Sequence, residues 1–369
     1  MLINGPAASP DGRSLPFIDL AGDEPLVAAL SGGSDSTALV LLIREALAAR
    51  DMAQRLVAVT VDHGLRPESA AEAERAATFC AQHDIPHETR VWNQEKPATG
   101  LQKAAREARY RLLAEAAAVR GAACVLTGHT FDDQCETIAM RAMRGAGRGA
   151  SGIAPATLFA QQTWFARPLL AMRRDDLRDW LRQAGECWID DPSNEDPVFE
   201  RVRMRRQLAA SGVESTAADH RALFEARRAA AQAAAGIVAD ERTWRFEAGG
   251  ARALLLPGSP AATQGFALAL AAVLAKVGNC AHLPGGQRLE EALRFVGSAD
   301  NGEGLTVSGC LLVKRAGATA IEPEARNARR AGFAYDTLVP LPDLALADAI
   351  GRRCGRPPLP EPPLASYPV

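Results

Sequence analysis

The sequence of 369 residues predicts an α/β fold in which a doubly wound parallel sheet is followed by a helical linker and a smaller C-terminal α+β domain. Two observations predict it. In the first half, apolar segments of about 5–7 residues alternate with helical segments of about 10–18, the pattern of parallel strands joined by right-handed helical crossovers. After about residue 200 this alternation stops, and a basic, alanine-rich stretch with helical character begins.

The predicted elements alternate from residue 25 to residue 144. The strands are short and apolar, most clearly the β-branched LVAVTVD of residues 56–62, and the helices carry apolar residues at helical spacing or are rich in alanine and glutamate. Helices are therefore expected on both faces of the sheet. In chain order the sequence predicts a strand over 25–30, a helix over 36–48, a strand over 56–62, a helix over 68–82, a strand over 87–91, a helix over 102–119, a strand over 123–127 and helices over 132–144 and 173–184.

Composition changes along the chain predict four segments. An α/β domain is expected over residues 18–200, a basic helical segment over 201–235, a small C-terminal domain over 236–355 and a proline-rich tail over 356–369. Within the small domain, residues 305–307 and 311–314 predict a β-hairpin. The tail holds six of the 23 prolines, so we expect it to be extended rather than helical or paired in a sheet.

Composition also excludes several classes of protein. The longest apolar run, Phe266–Ala275, has ten residues, whereas a membrane-spanning helix needs roughly 20. No secretory signal is predicted at the start, and the seven cysteines lie far apart without a C-x-x-C pair, which argues against a zinc ribbon or a disulfide scaffold. We therefore expect a cytoplasmic protein. A net charge of −2 does not exclude a nucleic-acid partner, because binding depends on a local basic patch.

The most informative segment, Ser31-Gly32-Gly33-Ser34-Asp35-Ser36-Thr37, lies between the first predicted strand and the first predicted helix. Two glycines allow backbone N–H groups to turn inward, and the following helix adds its free amides and the positive end of its dipole. The segment is thus a candidate phosphate site. The alternative is a plain turn with a serine N-cap. The lysine of a G-x-x-x-x-G-K-S/T loop and the G-x-G-x-x-G pattern are both absent at this position.

Further segments identify a family. The loop resembles the S-G-G-x-D-S motif of the ATP pyrophosphatase (PP-loop) superfamily, whose fold is of the adenine nucleotide alpha hydrolase type. Six further segments follow in order: V-D-H-G-L-R at 61–66, A-R-x-x-R-Y at 105–110, G-H-x-x-D-D-Q-x-E-T at 128–137, R-P-L-L at 167–170, D-P-S-N at 191–194 and R-x-R-x-R at 201–205. With these segments, the stretch from about residue 25 to 208 resembles the tRNA(Ile)-lysidine synthetases, a family within that superfamily. It departs from their pattern at Thr130 and Phe131, and at Val202, where a polar residue is usual.

The resemblance implies a ligase. Such an enzyme transfers AMP from ATP to the C2 oxygen of the wobble cytidine in a tRNA(Ile) with a CAU anticodon, and free L-lysine then attacks C2 and expels AMP. ATP and Mg²⁺ are the implied co-substrate and metal ion, and no membrane or obligatory protein partner is implied. The domain over 18–200 would bind ATP and catalyse the reaction, and the domain over 236–355 would recognise tRNA.

The nucleotide site implied by the resemblance lies at the carboxyl ends of the strands, as is usual for a doubly wound sheet. The loop would hold the departing pyrophosphate, with Asp35 as a candidate Mg²⁺ ligand. His63 and His129 could instead be ordinary loop histidines. The implied ATP-binding residues are Ser31, Gly32, Gly33, Ser34, Asp35, Ser36, Val61, Asp62, His63 and Gly128, and the implied catalytic residues are Asp35, His129, Asp133 and Glu136.

Acidic residues at the start of the predicted helix 132–144 form the implied lysine site. Asp133 and Glu136 are three residues apart, so they lie on one helix face. A carboxylate pair suits a cationic amine, and one member could accept its proton. The resemblance therefore assigns lysine binding to Asp132, Asp133 and Glu136. The alternative is that acids in a first turn stabilise any helix through its dipole.

Arginine clusters are the candidate RNA-binding residues. Phosphate contacts would give affinity, and the target base would have to be unstacked into the site. The alternative is that such arginines only form a solvated helix face. The predicted tRNA-binding residues are Arg106, Arg109, Arg144, Arg201, Arg203 and Arg205.

Two other functions are compatible with parts of this pattern. A tRNA thiolase of the same superfamily would need reactive cysteines. The paired C-x-x-C cysteines are absent, and Cys124 and Cys135 are the remaining candidates. A non-catalytic nucleotide-binding protein is the second alternative. It would not need the carboxylates of Asp133 and Glu136, so alanine at either position would leave its activity intact.

Overall fold

The structure is a computed structural model, and it describes residues 23–145, 151–190, 198, 200–211, 217–258, 263, 265–298, 304–324 and 332–363. The D-P-S-N segment at 191–194 and the ends of the predicted segments, at 18–22 and 364–369, lie outside these residues. The chain divides into two compact units. The first comprises residues 1–159, 163–221 and 362–369, and the second comprises residues 160–162 and 222–361.

The first unit contains alternating strands and helices, with bounds within two residues of those predicted as far as α5. Its elements are β1 (Leu26–Ala29), α1 (Ser34–Ala48), β2 (Leu56–Asp62), α2 (Ser69–Gln82), β3 (His87–Val91), α3 (Leu101–Val119), β4 (Cys124–Leu126), α4 (Phe131–Met143), β5 (Ala156–Phe159), β6 (Thr163–Ala166), α5 (Arg174–Gln183) and α6 (Glu200–Ser211). The strands β5 and β6 were not predicted.

Six strands of this unit are hydrogen-bonded in the order β5-β6-β4-β1-β2-β3. The neighbours from β6 to β3 are parallel, which confirms the predicted doubly wound sheet, whereas β5 runs antiparallel to β6. The chain moves outward from β1 to β3 and then returns to the other side of β1 with β4. The order of the strands therefore reverses at β1, and such a reversal opens a crevice at the carboxyl ends of the strands.

The core of the first unit forms where α1 packs beside the central strands. Val27 of β1 and Val125 of β4 are completely buried and pair in register. Leu39, Val40 and Ile43 of α1 are also completely buried. An element buried this thoroughly is held by apolar contacts along its length, so the loop that joins β1 to α1 is anchored on both sides.

The second unit contains an antiparallel sheet and several helices. The strands are ordered β7-β8-β11-β10-β9, and β9 pairs with β10 antiparallel, which confirms the predicted hairpin. The elements are α7 (Ala217–Ala239, from residue 222), β7 (Trp244–Glu247), β8 (Arg252–Leu255), α8 (Phe266–Val277), α9 (Gly286–Gly297), β9 (Gly304–Val307), β10 (Cys310–Arg315), β11 (Ala318–Pro323), α10 (Ala334–Thr337), β12 (Leu338–Pro340) and α11 (Leu344–Arg353).

Helix α8 contains the apolar run of residues 266–275 and supplies much of this unit's core, since Leu270, Val273 and Leu274 are completely buried. No helix in the part of the chain that the structure describes has the length and hydropathy needed to cross a bilayer. The long apolar run thus forms the interior of the second unit.

Candidate functional site

The glycine-rich turn after β1 is held by its own serine hydroxyls. The Ser36 hydroxyl accepts a hydrogen bond from the Ser31 backbone N–H at 3.1 Å and donates one to the Gly33 carbonyl at 3.0 Å. Gly32 has φ of +83°, and a Cβ there would lie 2.7 Å from Cδ1 of Ile189. The left-handed conformation therefore favours glycine at this position, whereas the Ile189 side chain could rotate to make room for a Cβ. The turn delivers the chain into the first turn of α1, whose backbone N–H groups are available to an anion.

Gly128 packs against this turn from the end of β4. A Cβ at Gly128 would lie 2.8 Å from the Asp35 carbonyl oxygen and 3.0 Å from the Ser36 backbone nitrogen. Real Cβ atoms essentially never approach backbone atoms this closely. The loop after β1 and the loop after β4 thus touch through their backbones at the point where the strand order reverses.

A cleft of about 1020 Å³ opens at these strand ends. Its walls include residues from the loops after β1, β2 and β4 and from α3, α5 and α6. The predicted residues that line it are Ser31, Gly33, Ser34, Asp35, Ser36, Val61, Asp62, His63, Arg106, Arg109, Gly128, His129, Asp133, Arg201 and Arg205. The volume is at the upper end of the range usual for sites that bind small molecules.

Five predicted residues are not among those that line the cleft. The structure places them in the turn beneath it, in α4 or toward the surface. They are Gly32, Asp132, Glu136, Arg144 and Arg203.

The two predicted histidines lie in the cleft with their pKa values lowered. Burial, reinforced by the positive charge of Arg109, lowers the pKa of His63 to about 4. Burial and the nearby Arg167 also lower the pKa of His129, whose Nδ1 lies 3.1 Å from the Thr127 hydroxyl. Both imidazoles are therefore neutral at neutral pH, and each offers one hydrogen-bond donor and one acceptor.

The low pKa of His63 makes stability depend on pH. The unfolded chain has a histidine pKa near 6.5, so it binds a proton more readily than the folded protein between about pH 6.5 and 4. Stability contributed by His63 is therefore present above this window and lost as the pH falls through it. We expect the unfolding free energy of His63→Asn to fall less than that of the wild type over this window, as measured by denaturant titration. An NMR titration midpoint near 6.5 for His63 would contradict this.

Asp133 has two roles at the start of α4. Its Oδ2 accepts hydrogen bonds from the Thr130 N–H at 2.9 Å and from the Thr130 hydroxyl at 3.2 Å, which caps the helix. Burial acts to raise the pKa of Asp133, but the neighbouring His129, Arg174 and Arg201 and the Thr130 hydrogen bond outweigh it and hold the pKa below its usual range. Glu136 follows on the same face and is 2% exposed. The helix-stabilising role is thus real for one oxygen of Asp133, while the other oxygen points toward a cation.

That cation is Arg174, which sequence reasoning did not single out. Its guanidinium donates to Asp35 Oδ2 at 2.9 Å and to Asp133 Oδ1 at 3.2 Å, and its Nη1 lies 3.7 Å from Glu136 Oε1. The Arg174 side chain is only 14% exposed. One buried cation thereby joins the acidic residue of the glycine-rich turn to the carboxylate pair of α4.

A sequence signal for Arg174 exists but is weak. Arg174 stands at the start of α5, four residues after the R-P-L-L segment. It is one of 38 arginines in the chain, so its residue type alone does not mark it. Asp132 holds it there, because the Asp132 carboxylate accepts a hydrogen bond from the Arg174 backbone N–H at 2.7 Å. The structure thus places Asp132 behind the cleft as a cap on the start of α5.

The predicted RNA-binding arginines are dispersed around the cleft. Arg106 covers the ring of Tyr110, with its guanidinium carbon 5.2 Å from the ring centre. Arg144 pairs with Glu200 at the surface, and Arg203 donates to the Val198 carbonyl at 2.7 Å. Arg201 and Arg205, together with Arg109, line the cleft. Val202 between the first two is 6% exposed, so the apolar residue at this position packs inward.

Arg167 of the R-P-L-L segment is a structural anchor. It is 3% exposed and donates to the Tyr110 hydroxyl at 3.0 Å, to the Ala154 carbonyl at 2.7 Å and to the Thr157 hydroxyl at 3.1 Å. Tyr110 belongs to the A-R-x-x-R-Y segment of α3. These bonds join α3 to the sheet below the cleft and keep its arginine-bearing face in place.

Within the residues that the structure describes, no group of three His, Cys, Asp or Glu side chains could hold a metal ion by itself. Mg²⁺ usually binds one or two carboxylates together with the phosphates of its substrate. Asp35 fits that arrangement, because it lines the cleft beside the glycine-rich turn. A metal ion here would therefore take most of its ligands from the nucleotide.

Comparison with known proteins identifies a matching family and several similar proteins. Residues 13–211 match the family described as a PP-loop domain. The tRNA(Ile)-lysidine synthase of Mesorhizobium japonicum is 52% identical over 189 residues, which cover 50% of this chain and 42% of that protein. Those of Rhizobium meliloti and Brucella anthropi are 39% and 41% identical, over 82% and 78% of this chain and 68% and 65% of their own lengths. The matches therefore span about two fifths to two thirds of these relatives.

Proposed function

The chain belongs to the tRNA(Ile)-lysidine synthase family of PP-loop proteins, and from that premise we propose that it is an ATP-dependent ligase acting on the wobble cytidine of a tRNA(Ile) with a CAU anticodon. In the first step the C2 oxygen of the cytidine attacks the α-phosphorus of ATP and pyrophosphate leaves. In the second step the ε-amine of free lysine attacks C2 and AMP leaves. ATP, lysine and tRNA occur together in the cytoplasm, which is where we place the reaction.

One observation carries the proposal. The guanidinium of Arg174 contacts Asp35 of the glycine-rich turn and Asp133 of the carboxylate pair, at 2.9 and 3.2 Å. The glycine-rich turn suits a polyphosphate, and the carboxylates of α4 suit a cationic amine. Only the Arg174 side chain therefore separates the two groups. Two-step chemistry of this kind needs that proximity, because the adenylated base must meet the amine without leaving the cleft.

The glycine-rich turn suits the first step. As pyrophosphate departs, negative charge grows on its oxygens, and the backbone N–H groups at the start of α1 stabilise that charge. Mg²⁺ bound through Asp35 and the phosphates would neutralise part of it. His129 is neutral and close to the same loop, so it can donate a hydrogen bond to an α-phosphate oxygen without adding a full charge.

The carboxylates of α4 suit the second step. Asp133 and Glu136 are 9% and 2% exposed, and buried anions attract an ammonium ion strongly. The amine must lose a proton to become a nucleophile, and a nearby carboxylate can accept it. We assign lysine binding to Asp133 and Glu136, with Asp132 holding the start of α5.

The thiolase alternative receives less support from the described cysteines. Cys124 is buried in β4, and burial raises the pKa of its thiol to about 12. Burial likewise raises the pKa of Cys135 to about 11. A thiol attacks as the thiolate, so both are poor nucleophiles at neutral pH.

Incorporation of lysine tests the proposal. Protein, ATP, Mg²⁺ and labelled lysine are incubated with a tRNA(Ile) bearing a CAU anticodon, and label in the RNA is measured. We expect label in this tRNA, and none when ATP is omitted. An elongator methionine tRNA, which has the same anticodon, is the control. No label, or equal label in both tRNAs, would refute the proposed function.

A further inference from the structure

The Glu136 carboxylate is surrounded by three guanidinium groups. Arg205 Nε donates to Glu136 Oε1 at 2.7 Å, Arg201 Nε lies 3.4 Å from Oε2, and Arg174 approaches at 3.7 Å. Glu136 is one of the two residues to which we assign the lysine ammonium ion. In the structure this position is therefore already neutralised by side chains of the protein itself.

The three arginines differ in exposure. The Arg174 side chain is 14% exposed and is fixed by two other carboxylates, whereas the side chains of Arg201 and Arg205 are 46% and 41% exposed. Both exposed arginines project from one face of α6, since residues four apart lie above one another on a helix. Their guanidinium groups lie at the buried Glu136 carboxylate, while much of each side chain is accessible to a large ligand.

One oxygen of Glu136 is left unsatisfied. Although Arg201 is nearby, Glu136 Oε2 is buried and accepts no hydrogen bond among the described residues. A buried charged oxygen without a donor is costly, and a ligand that supplies a donor gains that cost back. An ammonium ion has three donors and no acceptor, so it matches this oxygen.

Arginine binds phosphate by paired, charge-assisted hydrogen bonds. An RNA backbone laid along α6 would therefore compete with Glu136 for Arg201 and Arg205. While the arginines stay on Glu136, their positive charge also repels an incoming lysine ammonium ion. When Arg201 and Arg205 move from Glu136 to phosphates, the repulsion of the lysine ammonium ion is relieved. The same movement frees the Glu136 carboxylate to accept hydrogen bonds from that ion.

We propose that Arg201 and Arg205 close the lysine site in the RNA-free protein and release Glu136 when they bind tRNA phosphates, so that lysine binds after tRNA. The inference rests on the proposed function, since it regulates the same site. Its consequence is thermodynamic coupling: tRNA raises the affinity for lysine, and lysine raises the affinity for tRNA by the same factor.

The test measures lysine binding without ATP, so that no chemistry follows. Equilibrium dialysis with labelled lysine is carried out with and without the CAU-anticodon tRNA(Ile). For the wild type we expect tRNA to lower the lysine Kd at least about 10-fold, within the usual range of such couplings. In Arg205→Ala, lysine should bind more tightly than in the wild type without RNA, and tRNA should add correspondingly less.

Arg182→Ala is the matched control. It removes the same charge from an exposed side chain of α5 that pairs with Asp179 and is not among the residues that line the cleft. We expect its RNA-free lysine Kd to remain at the wild-type value. An equal gain in lysine affinity in both variants would show a general effect of charge. It would overturn the gating, that is, the proposed closing of the lysine site by Arg201 and Arg205.

A second measurement keeps the inference testable if Arg205→Ala does not fold. In the wild type, saturating lysine should tighten tRNA binding by the factor seen in dialysis. A wild-type protein that incorporates lysine, yet binds it equally well with and without tRNA, would refute the gating and leave the proposed function intact. A protein that neither binds nor incorporates lysine would refute the proposed function, and the gating with it.

Discussion

Gly128→Ala should lower the rate of ATP-dependent lysine incorporation about 100-fold, the scale expected when catalytic groups shift by about 1 Å. The added Cβ would lie 2.8 Å from the Asp35 carbonyl oxygen and 3.0 Å from the Ser36 nitrogen. Both are backbone atoms of the glycine-rich turn, so no side chain can rotate aside. Either this turn or the end of β4 must move, and the phosphate site moves with it. Pyrophosphate release measures the loss.

Gly236→Ala is the control for this substitution. Gly236 lies within α7, and a Cβ there would meet no atom within 4 Å. Alanine in a helix is favoured over glycine, so this variant should keep its activity and gain about 0.4–1 kcal/mol in unfolding free energy. A Gly128→Ala protein with wild-type pyrophosphate release would show that the contact between the two loops is not needed.

Replacing Arg174 with alanine should lower the unfolding free energy by about 3–5 kcal/mol, the usual cost of removing one partner from a buried ion pair. The carboxylates of Asp35, Asp133 and Glu136 would lose their shared cation. Two of them are almost inaccessible to water, so their mutual repulsion would be poorly screened. Denaturant titration at pH 7 measures the change, and lysine incorporation should be abolished.

The pH dependence of this variant separates charge repulsion from simple loss of packing. Without the Arg174 charge, the pKa of Asp133 should rise above its value in the wild type, where Arg174 helps to lower it. The folded variant then binds more protons than the folded wild type as the pH falls, so its deficit relative to wild type should shrink between pH 7 and about 4. Arg182→Ala, which breaks an exposed pair with Asp179, should cost no more than about 1 kcal/mol at either pH. A deficit that is independent of pH would contradict the repulsion.

Much of the first unit could be predicted because its elements are local. The β2 strand has the predicted bounds, 56–62, since six of its seven residues are apolar or β-branched and favour one conformation. The hairpin of β5 and β6 was not predicted. Each of these strands has only four residues, which is too short for alternation to distinguish a strand from a loop.

The site was predictable only where a motif marks it. The glycine-rich turn and the carboxylates of α4 stand in recognisable patterns, and the structure places both at the same strand ends. Arg174 contacts Asp35 across 139 positions of sequence, and no local pattern encodes a pairing of that kind. The position of Arg201 and Arg205 on Glu136 has the same origin, since it depends on how α6 packs against α4.

The bond from Arg167 to Tyr110 bears on how the family's signatures should be understood. The two residues are 57 positions apart and belong to segments that look like independent sequence fingerprints. In the folded protein this hydrogen bond connects the two segments directly. The effects of substituting them on the free energy of unfolding should therefore be non-additive.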